Sequence, residues 1–343
     1  MHRPSVHDTP FADPATAVAI TACPVCGSRQ IDSVALIDGK TGDALHTVNC
    51  LGCGLGRIDP LPTRQELAQW YTHHYRQDYK GAVQPALRHV LRAGRNALDR
   101  WDWLQLQRIR HGLNLPASSI TMDIGASGGE FVYLMKQRGY RARGIEPHAG
   151  YAAHARDALG LEVQGATLHD ALPQLPPGEV GLFSMFHVLE HLVDPIDTLQ
   201  EIRRKTSRDG LLFIEVPNAT RFCSPRYMFF RAHTLYFTQA SLHQTLRIAD
   251  WNIVAHNHAQ EGNLRVLASP SKPLASATLQ YRADTALVQA QHRRRWPSYI
   301  ARQLTSGQFV RKLATRIEEH RTAARFSEGR SLLDHLYQVG STP

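Results

Sequence analysis

The middle of the chain alternates between apolar runs of strand length and amphipathic stretches of helix length. Residues 180–186 (VGLFSMF) are apolar throughout, which is typical of a strand buried on both faces of a parallel sheet. A helix opened by an Asp-Pro pair is predicted over about 194–205, and a further strand at 211–216. Residues 151–159 are predicted to be helical, and 161–164 to form a short strand. The alternation predicts a doubly wound α/β sheet.

A small-residue turn lies between two of the predicted elements. Residues 122–131 (MDIGASGGEF) predict a strand, a turn and then a helix. This is the arrangement that binds nucleoside cofactors. A second strand, 142–146, ends in Glu146, which lies 23 positions after Asp123. This is close to the roughly 20-residue offset at which a dinucleotide fold places a carboxylate on ribose hydroxyls. Two strand ends therefore converge on one nucleoside.

The spacing of the small residues indicates which nucleoside is bound. Gly125, Ser127 and Gly129 do not reproduce the G-x-G-x-x-G pattern that holds a pyrophosphate on a helix N-terminus. Asp123 before the turn and Glu146 on the next strand suit a ligand with a cationic amino-acid end and a ribose. S-adenosylmethionine has both. An α/β turn without a ligand is the alternative.

Four of the five cysteines form two C-x-x-C pairs, Cys23 with Cys26 and Cys50 with Cys53, separated by 23 residues. Two such pairs complete a tetrahedral, all-thiolate zinc site with no position open to water, so we expect a structural ion. The alternatives are disulfides, disfavoured without a secretory signal, and a redox pair, which would need only one C-x-x-C. The remaining Cys223 is expected to be an ordinary buried thiol.

The segments around the cysteine pairs predict a small module followed by a helix. Residues 31–37 and 44–49 alternate as two short strands, which is consistent with a zinc ribbon. A capping-box spacing at 63–66 then begins a helix. Tyr71 and Tyr75 share one face of it, for which packing is the ordinary role and contact with a substrate the alternative.

Charge and hydropathy bound the classes of partner. Lys and Arg exceed Asp and Glu by 39 to 30, a net charge of +9, which favours anionic partners. The basic segments 88–110 and 293–330 are predicted to be helical. Their cations could form a solvated helix face or a nucleic-acid site, and the sequence is compatible with both. No apolar run approaches the ~18 residues of a membrane helix, and residues 1–21 lack the pattern of a secretory signal. We expect a cytoplasmic enzyme without a transmembrane segment.

Five segments resemble those of class I S-adenosylmethionine-dependent methyltransferases. They are DIGASGG at 123–129, GIEP at 144–147, HVLEHL at 187–192, EVPN at 215–218 and HTLYFT at 233–238. With the four cysteines, the chain resembles more narrowly the bacterial group with an N-terminal zinc ribbon, found among sugar C-methyltransferases and methyltransferases of polysaccharide or natural-product gene clusters. Ser127 departs from the family by replacing the middle glycine of the turn.

The resemblance implies a Rossmann-like, doubly wound, seven-stranded methyltransferase sheet with a small N-terminal zinc ribbon and a helical C-terminal tail. The expected divisions are the ribbon at 1–62, a linker of substrate-side helices at 63–116, the cofactor-binding domain at 117–269 and the basic tail at 270–343.

The resemblance also implies which residues bind the cofactor. The small residues of the turn pack against its amino-acid end, and Glu146 takes the ribose hydroxyls. Phe186 is expected to form a wall nearby. The expected set is Asp123, Gly125, Ser127, Gly129, Glu146 and Phe186.

For the chemistry, His187 or His191 is expected to be the general base, since imidazole has an unperturbed pKa near 6.5. In the alternative, Glu190 and His191 only tether the segment after the strand. Some relatives hold a divalent metal at such positions, which implies His187, Glu190 and His191 as a second set of metal ligands. The expected substrate rim adds Asn218, His233 and Tyr236.

The function predicted from these features is methyl transfer to a small-molecule acceptor, such as an anionic sugar nucleotide, a polysaccharide or a natural-product intermediate. An rRNA or tRNA methyltransferase that uses the ribbon and the basic helices for RNA binding is the alternative, and a non-catalytic assembly protein is the third class. The tail is compatible with three roles: contact with a second copy in a homo-oligomer, contact with RNA phosphates, or association with a membrane surface.

Overall fold

The computed structural model describes residues 20–67, 85–258, 262–272 and 281–339. Its strands are β1 (Ile31–Ile37), β2 (Ala44–Cys50), β3 (Gly56–Ile58), β4 (Ile120–Ile124), β5 (Arg141–Ile145), β6 (Glu162–Gln164), β7 (Val180–Phe186), β8 (Thr206–Pro217), β9 (Leu235–Tyr236), β10 (Trp251–His256) and β11 (Asn263–Pro270). Its α-helices are α1 (Leu87–His111), α2 (Glu130–Gln137), α3 (Ala149–Asp157), α4 (Leu168–Ala171), α5 (Pro195–Lys205), α6 (Gln239–Ile248), α7 (Ala286–Arg293), α8 (Trp296–Thr305), α9 (Gln308–Ala323) and α10 (Gly329–Val339).

The predicted helix cap after the ribbon is present. The backbone N–H of Thr63 donates to a carboxylate oxygen of Glu66 at 2.7 Å, and the N–H of Glu66 donates to the Thr63 hydroxyl at 3.2 Å. Residues 64–67 are helical. Tyr71 and Tyr75 lie outside the described residues, so their roles stay predictions.

The main sheet has seven strands in the order β10-β11-β8-β7-β4-β5-β6. The five strands from β8 to β6 are parallel, whereas β11 runs antiparallel to both of its neighbours. Every residue of β7 is buried, as its unbroken apolar sequence predicts. This order confirms the predicted Rossmann-like, doubly wound seven-stranded sheet. After β4 the chain adds β5 and β6 on one side and then β7 and β8 on the other. The carboxyl ends of β4 and β7 therefore border the crevice in which a ligand is expected.

The strand predicted at 211–216 is longer than expected. β8 begins at Thr206, immediately after α5, and pairs there with Val180. The next pair joins Leu211 to Leu182, so the intervening residues of β8 bulge out of the ladder. The Thr206 hydroxyl donates to the carbonyl of Ile202 at 2.7 Å, which closes the end of α5 without a separate loop.

The cysteine-bearing module forms a second, four-stranded sheet with the order β1-β2-β3-β9. Its last strand comes from the distant segment 235–236, where Leu235 pairs with Arg57 and Tyr236 with Gly56. At the tip of the β1–β2 hairpin, Asp38 accepts the backbone N–H of Arg231 at 2.7 Å. The ribbon is therefore built into the segment that follows β8, and the predicted division at residue 62 stays a prediction.

The last two helices, α9 and α10, lie beside α1. Leu332, Leu333 and Tyr337 of α10 belong to the same buried cluster as Val90 and Leu91 of α1. The Tyr337 hydroxyl donates to the carbonyl of Glu130 at 2.8 Å, at the start of α2. The end of the tail thus completes the core on one face of the sheet. Among the described helices, none has the length and apolar character needed to cross a membrane.

Candidate cofactor and acceptor site

The turn after β4 is built from three residues with left-handed backbone conformation. The φ angles are +73° at Gly125, +52° at Ser127 and +87° at Gly129. Glycine adopts this conformation without steric cost, whereas it is uncommon for serine. A Cβ on Gly125 would come within 2.5 Å of a methyl group of Val188, so the segment after β7 lies directly against the turn.

Glu146 is where the sequence spacing places it, against the same turn. One carboxylate oxygen accepts the backbone N–H of Ser127 at 2.9 Å and the other accepts that of His148 at 2.8 Å. The N–H groups of Gly125 and Ala126 also donate to the carbonyl of Ile145. The ends of β4 and β5 are therefore joined into one edge by main-chain and carboxylate hydrogen bonds.

Asp123 and Phe186 lie beneath this edge. Asp123 is buried and accepts the Ser184 hydroxyl at 2.5 Å. Burial raises the pKa of Asp123 to about 7, although the hydrogen bond from Ser184 opposes the shift. The Phe186 ring packs edge-on against Phe131 and Phe213, at centroid distances of 4.9 and 5.0 Å. Both side chains support the turn from the core side.

A charge network that the sequence analysis missed lies at the carboxyl end of β8. Glu215 is 2% exposed and accepts hydrogen bonds from Arg100 at 2.7 Å and from Arg265 at 2.6 Å. Asn263 donates to it at 3.3 Å. Burial favours the neutral acid, but the hydrogen bond from His187 and the charge of Arg100 prevail and hold the pKa of Glu215 well below its usual range. The signal available in the sequence was a carboxylate near the end of an apolar strand.

His187 lies between two buried carboxylates. Its Nδ1 is 3.2 Å from Glu190 and its Nε2 is 3.3 Å from Glu215. Burial opposes the charged ring, but the hydrogen bonds to Glu190 and Glu215 outweigh it and raise the pKa of His187 to about 9. The residue also has a left-handed φ of +58°, a strained conformation held by its surroundings. An imidazole that is protonated at neutral pH cannot accept a further proton.

A second group of side chains consists of Glu190, His191 and His233. One ligand atom from each lies within 4.8 Å of the others. Glu190 is 1% exposed, and its Oε2 has no hydrogen-bond partner among the described residues. His191 Nδ1 lies 2.6 Å from the carbonyl of Ala232, which assigns a proton to Nδ1 and leaves Nε2 as the acceptor nitrogen. Burial lowers the pKa of His233 well below its ordinary value, so that ring is neutral.

This grouping differs from the metal set inferred from the sequence. His233 takes the place expected for His187, which is held between Glu190 and Glu215. A carboxylate and two imidazoles are a donor set that divalent transition metals accept. The hydrogen bond from His191 to a carbonyl is the outer contact that commonly orients a ligating histidine.

Two of the predicted rim residues are buried at the two ends of the loop between β8 and β9. Asn218 is fully buried, and its side-chain oxygen accepts the backbone N–H of Thr220 at 2.9 Å. The Tyr236 hydroxyl lies 3.1 Å from both the N–H and the carbonyl of Phe230. Both residues fix the loop that carries His233.

The four cysteines of the ribbon converge. Cys23 Sγ lies 3.6 Å from Cys53 Sγ, and Cys26 Sγ lies 3.4 Å from Cys50 Sγ. A tetrahedral zinc with Zn–S bonds of about 2.3 Å places its sulfurs ~3.8 Å apart, so these four atoms fit the ion. The glycine after each pair has the same φ, +74°, so the two knuckles have matching turns. Cys223 is a buried free thiol outside this group.

Residues 97–256 match a family model described as a methyltransferase domain. A Burkholderia thailandensis 1,6-didemethyltoxoflavin-N1-methyltransferase is 18% identical over 66% of this chain and 96% of its own, with a TM-score of 0.45. A Thermotoga maritima methyltransferase, named a possible histamine N-methyltransferase, is 17% identical over 60% of this chain and 94% of its own, with a TM-score of 0.41. No curated protein matches the chain. The chain therefore carries a methyltransferase domain over residues 97–256.

Proposed function

We propose that the enzyme methylates a small molecule whose reacting oxygen or carbon must lose a proton. The observation that carries this proposal is the position of the acceptor-side histidines. The segment 187–191 lies against the cofactor turn through Val188 and Gly125 and presents His191 beside a buried carboxylate. A proton acceptor next to a methyl donor is the arrangement that such a transfer requires.

The cofactor side would bind the donor by shape and hydrogen bonding. Gly125, Ser127 and Gly129 let the backbone approach the amino-acid end closely, and Glu146 would accept the ribose hydroxyls. When bound, S-adenosylmethionine supplies an electrophilic methyl group. These residues would therefore orient the donor toward the acceptor side, and positioning is the larger part of such catalysis.

On the acceptor side we propose that His191 is the general base. His191 Nε2 would take the proton of the acceptor oxygen or carbon, whose electron pair would then be free to attack the methyl group that bound S-adenosylmethionine supplies, with S-adenosylhomocysteine as the leaving group. His187 carries a positive charge at neutral pH and would stabilise negative charge on the acceptor electrostatically. Its pKa of about 9 makes it unsuited to be the base.

A divalent cation held by Glu190, His191 and His233 is the second candidate for acceptor activation. The unpaired, buried Oε2 of Glu190 favours it. An ion there would act as a Lewis acid that lowers the pKa of an acceptor hydroxyl. The two candidates exclude each other, because an ion bound to His191 Nε2 leaves that nitrogen unable to take a proton.

We further propose that the four cysteines hold a structural zinc ion. It would fix β2 and β3, and through their pairing with β9 it would fix the loop that carries His233. The ion would therefore act on the acceptor side through the fold and take no part in the chemistry.

The cofactor assignment is tested by calorimetric titration with S-adenosylhomocysteine. Glu146→Ala should weaken binding about 10- to 100-fold, because hydrogen bonds to a charged group contribute roughly 1.5–3 kcal/mol. Glu146→Gln, which keeps one acceptor oxygen, should lose less. Glu162→Ala on β6, an exposed partner of Arg143, is the matched control and should bind normally. Unchanged binding by Glu146→Ala would remove the ribose contact from the proposal.

The acceptor class is tested with S-adenosylmethionine labelled in its methyl group. Label should enter small molecules such as sugar nucleotides or natural-product intermediates when these are offered singly. Transfer of label to rRNA or tRNA, with none to small molecules, would replace the proposal by the RNA alternative.

A further inference from the structure

Two consecutive helices of the C-terminal region leave apolar side chains in contact with solvent. We call α8 and α9, with their Ser306-Gly307 link, the basic hairpin. α8 buries none of its side chains. Its apolar residues recur at a spacing of four and those of α9 at three and four, so each set forms one stripe. These six side chains are 45% to 78% exposed: Trp296, Ile300, Leu304, Val310, Leu313 and Ile317.

The same region is strongly basic. Residues 285–317 contain no Asp or Glu and seven Lys or Arg. Only Arg294 is buried, where it donates to the carbonyl of Arg221 at 2.9 Å. The two acidic residues that follow, Glu318 and Glu319, already pair with Arg95 and Arg92 of α1. The positive charge of the basic hairpin is therefore uncompensated within the described part of the chain.

A cavity of about 400 Å³ lies between α1 and α9, on the face of α9 opposite the second stripe. Its walls are Arg92, Arg311, Lys312, Thr315, Arg316 and Glu319. The carboxylate of Glu319 accepts hydrogen bonds from Nε and Nη2 of Arg92, at 3.1 and 2.5 Å. Among the described residues, Arg311, Lys312 and Arg316 of α9 form no ion pair with a carboxylate. Its charge suits a phosphate group.

The sequence is compatible with three partners for the tail: a second copy of the chain, RNA and a membrane surface. The exposed apolar stripes and the cations together distinguish among them. A second copy of the same face would bring two strongly positive surfaces together and would be repelled. RNA phosphates would pair with the cations but would not bury six large apolar side chains. An anionic lipid surface satisfies both, because it offers phosphates at the headgroup level and an apolar boundary beneath them.

We infer that the basic hairpin docks the enzyme on an anionic lipid surface. The stripes of α8 and α9 enter the boundary between headgroups and acyl chains, and the cations Arg311, Lys312 and Arg316 on the opposite face of α9 lie at the level of the anionic headgroups. The protein then lies on the bilayer without crossing it.

The docking face adjoins the acceptor side of the enzyme. Arg302 of α8 stacks on the ring of Phe222 at 4.9 Å, and Phe222 and Tyr227 of the same loop are themselves exposed. This loop leads from β8 to His233. An acceptor presented at the bilayer surface would therefore reach the site directly; this consequence for the acceptor rests on the proposed function, whereas the docking itself does not.

Vesicle flotation of the full-length protein tests the inference. The protein should float with vesicles of phosphatidylcholine and phosphatidylglycerol at a ratio of about 7 to 3, stay unbound with phosphatidylcholine alone, and lose binding as salt is raised. Ile300→Ser with Leu304→Ser should weaken binding at least about 10-fold, because two large apolar side chains no longer enter the acyl boundary. Arg311→Gln with Lys312→Gln should weaken binding by a similar factor at low salt, because two cations no longer attract the anionic headgroups.

Matched controls lie on α1, which also has exposed apolar and basic residues. Leu106→Ser with Ile109→Ser and the single variant Arg110→Gln should bind vesicles like the unaltered protein. All variants should keep their affinity for S-adenosylhomocysteine, which shows that they are folded and separates this test from that of the proposed function.

Several results would overturn the inference. Equal flotation of hairpin and α1 variants, or equal binding to neutral and anionic vesicles, would remove the lipid surface as the partner. A dimer in light scattering that the Ile300 and Leu304 substitutions dissociate, without vesicle binding, would assign the face to a second copy. Salt-sensitive RNA binding that depends on Arg311 and Lys312 but not on the apolar stripe would assign it to RNA.

Discussion

The cofactor edge and the acceptor edge of the sheet lie side by side but are built in opposite ways. The cofactor edge consists largely of backbone: three left-handed residues within five positions and one carboxylate, all between residues 123 and 146. The acceptor edge consists of side chains from α1, β7, β8, β11 and the loop before β9. One edge is made of local conformation, the other of long-range charge pairing.

The difference determines how each edge responds to change. A turn made of glycine backbone depends on φ angles and on the absence of a Cβ, so it tolerates changes elsewhere in the protein. On the acceptor edge, the protonation of His187 depends on Glu190 and Glu215, and the charge of Glu215 depends in turn on Arg100. Altering one residue there therefore changes the others.

Loss of the zinc ion proposed for the ribbon should produce the largest difference between the two edges, because only the acceptor edge depends on the ribbon. Cys50→Ser removes one of four thiolates, and structural zinc contributes apparent free energies of roughly 10–16 kcal/mol in isolated zinc-finger peptides. We expect lost zinc in elemental analysis, a lowered melting temperature and no methyl transfer, because β9 and the loop with His233 lose their support. Cys223→Ser is the control and should keep its zinc. A Cys50→Ser enzyme that retains full activity would show that the ribbon does not support the acceptor edge.

His191→Ala should reduce turnover about 10²- to 10⁴-fold, the usual contribution of a general base. Its affinity for S-adenosylhomocysteine should be unchanged, because the cofactor edge is untouched. Treatment of the unaltered enzyme with a chelator that leaves the ribbon zinc in place, as checked by elemental analysis, followed by return of Mn²⁺ or Fe²⁺, distinguishes the two forms of acceptor activation. Activity that the ion restores assigns His191 as a ligand, and activity that ignores the chelator assigns it as the base.

Glu215→Gln should destabilise the fold by about 3–5 kcal/mol, because the largely buried Arg100 would lose its carboxylate partner and Arg265 would keep only the exposed Asp99. Glu201→Gln removes a surface partner of Arg204 and should cost less than ~1 kcal/mol. Urea denaturation measures both. Equal losses in the two variants would mean that the buried network adds no more than a surface pair.

The same variant has a pH signature. The pKa of His187 is raised to about 9, above its unfolded value, so its contribution to stability is complete below pH ~6.5 and is lost as the pH rises through about 9. In Glu215→Gln that loss should begin at lower pH, since one of the two carboxylates is gone. Denaturation curves between pH 6 and 10 should show the shift, and superimposable profiles would contradict the assigned pairing.

Asp123→Asn should have the smallest effect and the opposite sign. Burial raises the pKa of Asp123 to about 7, so ionisation of this acid disfavours the folded state as the pH rises from ~4 to about 7. Asn removes that penalty while it can still accept the Ser184 hydroxyl. The melting temperature should therefore gain more at pH 8 than at pH 5. A uniform loss at both values would show that the carboxylate is needed in its charged form.

Much of the architecture was predictable because it depends on local pattern. The unbroken apolar run of β7 predicts a strand buried on both faces, and α5 begins at the Pro195 that the Asp-Pro signal marks. The spacing from Asp123 to Glu146 correctly predicts that two strand ends meet, since strand, turn and helix lengths fix that distance. The two C-x-x-C pairs similarly predict a single cluster of four sulfurs.

The acceptor side was predictable only in part. The motif at 187–191 identifies the segment, but neither the positive charge of His187 nor the grouping of Glu190 with His233 can be inferred from it. Asn218 and Tyr236 were predicted to line the rim, and the structure buries both at the ends of the loop as its supports. Their hydrogen-bond partners are set by the path of that loop, which no local pattern specifies.

The sequence by itself determined the alternation of strands and helices in the parallel part of the sheet, the small-residue turn after β4 and the convergence of the four ribbon cysteines. Each of these depends on residues close together in the chain, where backbone sterics and ligand spacing act directly. Only the tertiary structure decided the protonation of His187, the pairing of the ribbon with β9 and the exposure of the basic hairpin. Burial and electrostatic interactions depend on which distant groups become neighbours, and that is settled only when the chain has folded.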